Sequence, residues 1–96
     1  MKPLIWIIDD EWESYAIETK VIQEAFPNAE IVVSGRSYRE DAEKYAESAD
    51  AVLVQVSMQL DAPLIARLEK CKIISVYGVG YDNVDVDAAT AKGIAV

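Results

Sequence analysis

Five short apolar runs, Leu4–Ile8, Ile31–Val33, Ala51–Val56, Ile73–Tyr77 and Ile94–Val96, recur along the chain with longer amphipathic stretches between them. They are rich in Ile and Val and mostly do not alternate apolar with polar residues. A strand with one wet face alternates; a strand covered on both faces does not. Parallel neighbours need long crossovers, and the crossovers lay helices over both faces. The order reads βαβαβαβαβ. The expectation is a three-layer α/β/α fold: an open, doubly wound, mostly parallel five-stranded sheet with right-handed crossovers. The whole chain, 1–96, reads as one domain. At this length a domain buries only about 60–65% of its unfolded surface, so modest stability is expected.

The helical stretches carry their own start and stop signals. In the first, Trp12, Tyr15, Ile22, Ala25 and Phe26 recur at helical spacing and predict the inward face, and Pro27-Asn28 ends it. The second opens on Ser37-Tyr38-Arg39-Glu40, the pattern of a capping box. The third starts at Asp61, with Pro63 in its first turn and Leu64, Ile65 and Leu68 facing inward. The fourth runs over about 86–92, capped by Asp85 and closed by Gly93. Ile94-Ala95-Val96 reads as a strand only begun, since strands average about 5–6 residues. The chain is therefore expected to be a piece of a longer protein.

Composition removes several function classes. The chain has no histidine, so it holds no Ser-His-Asp triad, no Cys-His pair and no His-ligated metal. Its single cysteine, Cys71, allows no internal disulfide and no Cys-rich zinc site, and fits a reduced thiol. A net charge of −8 argues against nucleic acid, whose phosphates call for clustered Lys and Arg. No apolar run approaches the ~18 residues of a membrane span. Leu4–Ile8 is too short for a signal-peptide core and meets Asp9, Asp10 and Glu11 at once. A cytoplasmic location is expected.

Two clusters offer chemistry. Asp9-Asp10-Glu11 lies at the carboxyl end of the first strand, where open α/β sheets bind ligands. Paired carboxylates there could hold Mg²⁺, as in phospho-receiver domains. A receiver also needs an aspartate ending the third strand, and 51–60 contains no Asp or Glu. The plainer role for these carboxylates is at the positive end of the first helix. The second cluster is Gly78-Val79-Gly80-Tyr81-Asp82-Asn83, between a strand and a helix. It resembles the dinucleotide fingerprint G-x-G-x-x-G but has Asn83 at the third glycine. It fits an anion nest of bare backbone amides, or a tight turn, better than an NAD site.

The segment 72–96, built around Gly78-Val79-Gly80-Tyr81-Asp82-Asn83-Val84-Asp85 with Ala88-Ala89 following, resembles the D-2-hydroxyacid dehydrogenase family. Ala49-Asp50-Ala51-Val52-Leu53-Val54 and the Leu64-Ile65 helix resemble it too. The resemblance implies the flavodoxin-like, substrate-binding lobe of an NAD- or NADP-dependent oxidoreductase that interconverts a small 2-keto acid and a D-2-hydroxy acid. It implies that backbone amides at Val79 and Gly80 hold the substrate carboxylate. Val56 and Met58 would offer apolar contact, and Ser57 a hydrogen bond. Tyr81 would either pack or touch substrate.

The same resemblance places the catalytic residues and the cofactor site on a separate Rossmann lobe, so none is assigned to this chain, and no metal site is expected. The chain alone is then inactive and exposes apolar surface that favours self-association. Members of that family that take phosphorylated acids carry basic side chains on the turn after strand three; 55–60 has no Lys or Arg, so the resemblance implies an unphosphorylated acid. The alternatives are a receiver-like or other flavodoxin-like signalling module, and a corepressor-type relative of the dehydrogenases that works by protein contacts.

Overall fold

The computed structural model describes residues 2–9, 14–56, 58–77 and 83–96. Four strands, β1 (Leu4–Ile8), β2 (Glu30–Ser34), β3 (Ala51–Gln55) and β4 (Ile73–Tyr77), form one parallel sheet in the order β2-β1-β3-β4. They alternate with four helices, α1 (Ala16–Ala25), α2 (Tyr38–Tyr45), α3 (Ala62–Ile65) and α4 (Val86–Ala91). The expected fifth strand is reduced to a single parallel bridge, Ala95 to Ile73, on the outer side of β4. The Ile74 amide donates to the Ala95 carbonyl at 2.8 Å, and the Ala95 amide to the Lys72 carbonyl at 3.0 Å. Ile94–Val96 thus takes the place of a fifth strand but is too short to extend a ladder.

The strand order fixes the layers. The chain steps from β1 to β2 in one direction, then back across β1 to β3 and on to β4. Right-handed crossovers therefore put α1 on one face and α2, α3 and α4 on the other. The second face holds the main core. Trp6 and Ile8 from β1, Val52 and Val54 from β3 and Ile74 from β4 meet Tyr38 and Ala42 of α2, Leu64 and Ile65 of α3, and Ala89 of α4. Leu68, expected to face inward, is fully buried there too.

The face that carries α1 is thinner. Ile5 and Ile7 are buried, but Val33 of β2 and Ile73 of β4 are exposed, Ile73 at 50%. Helix α1 itself buries no residue. Ala25 and Phe26 are exposed, so they do not form the inward face that their spacing predicts, and Ile17 is 79% exposed as well. Ile22 and Tyr15 are only half-buried, and Trp12 lies outside the described residues. Spacing marks an apolar stripe but not what lies opposite it.

The caps divide the same way. Asp61 and Asp85 behave as predicted, accepting from the amides of Leu64 at 3.3 Å and Ala88 at 3.0 Å. Gly93 closes α4 at a φ of 77°, the left-handed region that favours glycine. The capping box at Ser37 does not form, because its hydroxyl makes no cap bond. The Ser37 carbonyl instead accepts from the Glu40 and Asp41 amides at 3.0 and 3.1 Å. The first helix begins after Tyr15, whose side chain makes no cap bond.

Candidate functional site at the ends of β3 and β4

Ligands of open α/β sheets bind beyond the carboxyl ends of the strands. At that end of β3 the chain turns at once. The Met58 amide donates to the Gln55 carbonyl at 3.0 Å. Val56, at the tip, is 45% exposed. Met58 is 1% exposed and belongs to the core. The apolar contact expected of Met58 is thus made inward, beneath the turn. Ser57, Val79, Gly80 and Tyr81 lie outside the described residues.

The loops that follow β3 and β4 are joined at both ends. At the near end, Gln55 is in register with Tyr77 in the sheet. At the far end, Leu60 and Val84 form a second parallel bridge. There the Leu60 amide donates to the Asn83 carbonyl at 2.8 Å, and the Asp85 amide to the Leu60 carbonyl at 2.9 Å. Each loop then passes directly into an Asp-capped helix, at Asp61 and at Asp85. An open cleft runs between them, lined by Gln59, Leu60, Asp61, Asn83, Val84 and Asp85.

Between these ends the side chain of Asn83 crosses from one loop to the other. Its Nδ2 donates to the Gln55 carbonyl at 3.1 Å and to the Met58 carbonyl at 2.8 Å. Both partners only accept, so the amide orientation follows from them. Asn83 is 9% exposed, and its Oδ1 is buried without a donor, which costs about 1–3 kcal/mol. Tyr38 braces the same turn from α2, its hydroxyl donating to the Gln59 carbonyl at 2.9 Å. Arg39 reaches the end of the turn, but its guanidinium is paired with Asp61 at 3.1 Å.

In the sequence Asn83 stands out as the residue that replaces the third glycine of a fingerprint and as part of the family-like run, and Tyr38 only as part of a capping pattern; neither is marked there as a brace of the turn after β3. Both act through hydrogen bonds to backbone far away in sequence. Local pattern carries no signal for such bonds. An Asn immediately before the bridge residue Val84 is the nearest thing to one.

The acidic cluster after β1 is placed differently. Asp9 is almost fully buried, and Asp10 and Glu11 lie outside the described residues. The Asp9 backbone is engaged on both sides: its amide donates to the Ser34 carbonyl and its carbonyl accepts from the Tyr15 hydroxyl, each at 3.0 Å. At the end of β3, where a receiver carries its aspartate, stands buried Gln55.

This arrangement is that of a flavodoxin-like α/β lobe whose candidate site sits over β3 and β4. Residues 8–96 match the family model of the D-isomer specific 2-hydroxyacid dehydrogenase catalytic domain, and the chain belongs to that family. It is 54% identical over 48 residues to a D-3-phosphoglycerate dehydrogenase of Mycobacterium leprae, covering 50% of this chain and 9% of the relative. It is 31% identical over its full length to a glyoxylate reductase of Pyrococcus horikoshii, covering 28% of that protein. A solved 3-phosphoglycerate dehydrogenase of Entamoeba histolytica with bound NAD+ matches 96% of this chain and 31% of its own, with a TM-score of 0.73 and 29% identity. The chain therefore spans less than a third of the relatives it matches here. Among the described residues no helix is long and apolar enough to cross a membrane.

Proposed function

We propose that this chain is the substrate-binding half of an NAD- or NADP-dependent oxidoreductase that interconverts a small 2-keto acid and a D-2-hydroxy acid. The observation that carries the reading is the paired construction of the two loops. Asn83 and the Leu60–Val84 bridge tie together the segments that follow β3 and β4, in a chain of this family. Backbone amides at Val79 and Gly80 hold the substrate carboxylate. Preorganised N–H donors bind an anion without the strong hydration of a lysine ammonium to displace. Val56 and Ser57 form a wall of the pocket, with Met58 filling the core behind them. Tyr81 either packs beside the glycines or touches the substrate.

The cofactor is held by a Rossmann lobe beyond these 96 residues, which also carries the acid–base group. A nicotinamide cofactor bound there would supply the hydride, while the residues of this chain would hold and orient the keto acid by its carboxylate. This chain binds and orients; alone it does not turn over, because positioning and proton transfer are commonly each worth several orders of magnitude. The protein works in the cytoplasm, and the isolated chain associates with further copies of itself through the exposed apolar residues of the α1 face.

The substrate is unphosphorylated. The turn 55–60 contains no Lys or Arg, and Arg39 beside it is already paired. A second phosphate charge would therefore lack a partner. Relatives carry the names of both a phosphoglycerate dehydrogenase and a glyoxylate reductase, so this turn decides the choice. Competition kinetics on the protein with its cofactor lobe test it. Glyoxylate should be reduced in preference to 3-phosphohydroxypyruvate, and the reverse preference would overturn the assignment.

A further inference from the structure

We infer that Asn83 is a positioning residue: its amide locks the turn after β3 to the loop that leads into α4, and so sets the spacing between the two segments that meet the substrate. The second half of this statement rests on the substrate-lobe reading; the first does not.

The Gln55 carbonyl accepts twice, from the Met58 amide within its own turn and from Asn83 across the gap. The Met58 carbonyl accepts from the other Asn83 proton. Both ends of the turn are therefore held by one side-chain nitrogen, while its tip, Val56, stays exposed. The backbone of the same residue makes the first bond of the Leu60–Val84 bridge. Asn83 is nine-tenths buried and leaves its Oδ1 without a donor. A side chain kept for packing alone would not need an amide here, and an apolar one of similar size would leave no orphan oxygen. What only the amide supplies is two donors at a fixed separation.

Amide hydrogen exchange of the isotope-labelled chain tests the lock. Three variants are compared with the wild type: Asn83→Ala, the near-isosteric Asn83→Asp, which faces both carbonyls with an acceptor, and Ile94→Val, a packing change in the same core. The Met58 amide should exchange at least about tenfold faster in both Asn83 variants, while Val54 in the sheet stays within about twofold, because local opening is separable from global unfolding. Ile94→Val, despite a comparable fall in Tm, should leave Met58 as in the wild type. Met58 protection unchanged in Asn83→Ala, or preserved in Asn83→Asp, overturns the lock.

A glyoxylate titration of the same samples reads the consequence. Asn83→Ala should weaken binding about tenfold, as expected when positioned donors shift by a fraction of an ångström, and Ile94→Val should not. Equal weakening in the two variants reduces Asn83 to a stabilising residue and overturns the positioning role. A wild-type chain that does not respond to glyoxylate defeats the substrate-lobe reading and this positioning role with it; the exchange contrast still decides the lock.

Discussion

The indole nitrogen of Trp6 donates to the Ser34 hydroxyl at 2.8 Å, and that hydroxyl donates onward to the Asp41 carboxylate at 2.7 Å. This relay joins the centre of β1 to the end of β2 and the first turn of α2. It explains how a fully buried tryptophan satisfies its only donor. Its ring also lies 6.3 Å from that of Tyr45, tilted by 53°.

Ser34→Ala should therefore cost about 1–3 kcal/mol, because it strands a buried N–H and removes one partner of a carboxylate. For a domain of this size each kcal/mol lowers Tm by about 4–8 °C. Urea denaturation followed by tryptophan fluorescence reads the loss. A change below about 0.5 kcal/mol would mean that the relay contributes nothing to stability.

The caps predict a contrast. Asp61→Ala and Asp85→Ala should each destabilise by about 1 kcal/mol, since each carboxylate accepts from a helix amide. Ser37→Ala, at the residue whose pattern is the strongest capping signal in the sequence, should change stability by less than about 0.5 kcal/mol, because its hydroxyl caps nothing. Thermal melts of the three variants check the order.

Burial pushes the Cys71 thiol above its ordinary value of 9.0, and the nearby Asp50 charge adds to the shift. The folded chain therefore holds this proton more tightly than the unfolded chain. The stabilisation is complete below about pH 9, and it is lost as pH rises through the raised folded value. Cys71→Ala should flatten the alkaline fall in stability above pH 9. Thiol-reactive probes at neutral pH should label the folded wild type slowly and the urea-unfolded chain fast. Equal labelling rates would contradict the burial argument.

The open face of the sheet predicts association. Val33 and Ile73 are exposed on it, and Ile17 and Val21 are exposed on α1, the helix of that layer. Contiguous apolar patches above a few hundred Å² tend to find partners. Sedimentation should show weight-average mass rising with concentration, and Ile73→Lys should reduce the rise. A monomer at every concentration would remove this expectation.

The sheet was legible in the sequence because β1, β3 and β4 are short apolar runs rich in Ile and Val that mostly do not alternate with polar residues, and such runs need covering on both faces. The caps of α3 and α4 were legible because Asp61 and Asp85 act on their own helices. The stripe on α1 was legible as a stripe, but its exposure was not, since nothing within 16–25 says what lies opposite. The fifth strand was legible as one only begun, and Ile94–Val96 meets β4 through the single bridge of Ala95 to Ile73. The site was legible only through the glycine segment and its resemblance. Asn83 and Tyr38, which hold the turn after β3, were missed because their partners at Gln55, Met58 and Gln59 lie some twenty residues or more away in sequence.

The proposed function has the loops after β3 and β4 receive a 2-keto acid through its carboxylate. A glyoxylate titration of the isotope-labelled wild-type chain, followed by amide chemical shifts, tests it most directly. Saturable shifts should centre on the amides of Val79 and Gly80 and extend to Val56, with the Asp9 end of β1 unmoved and no requirement for Mg²⁺. Shifts centred on Asp9 and dependent on Mg²⁺, or no saturable shift at Val79 and Gly80, would contradict it.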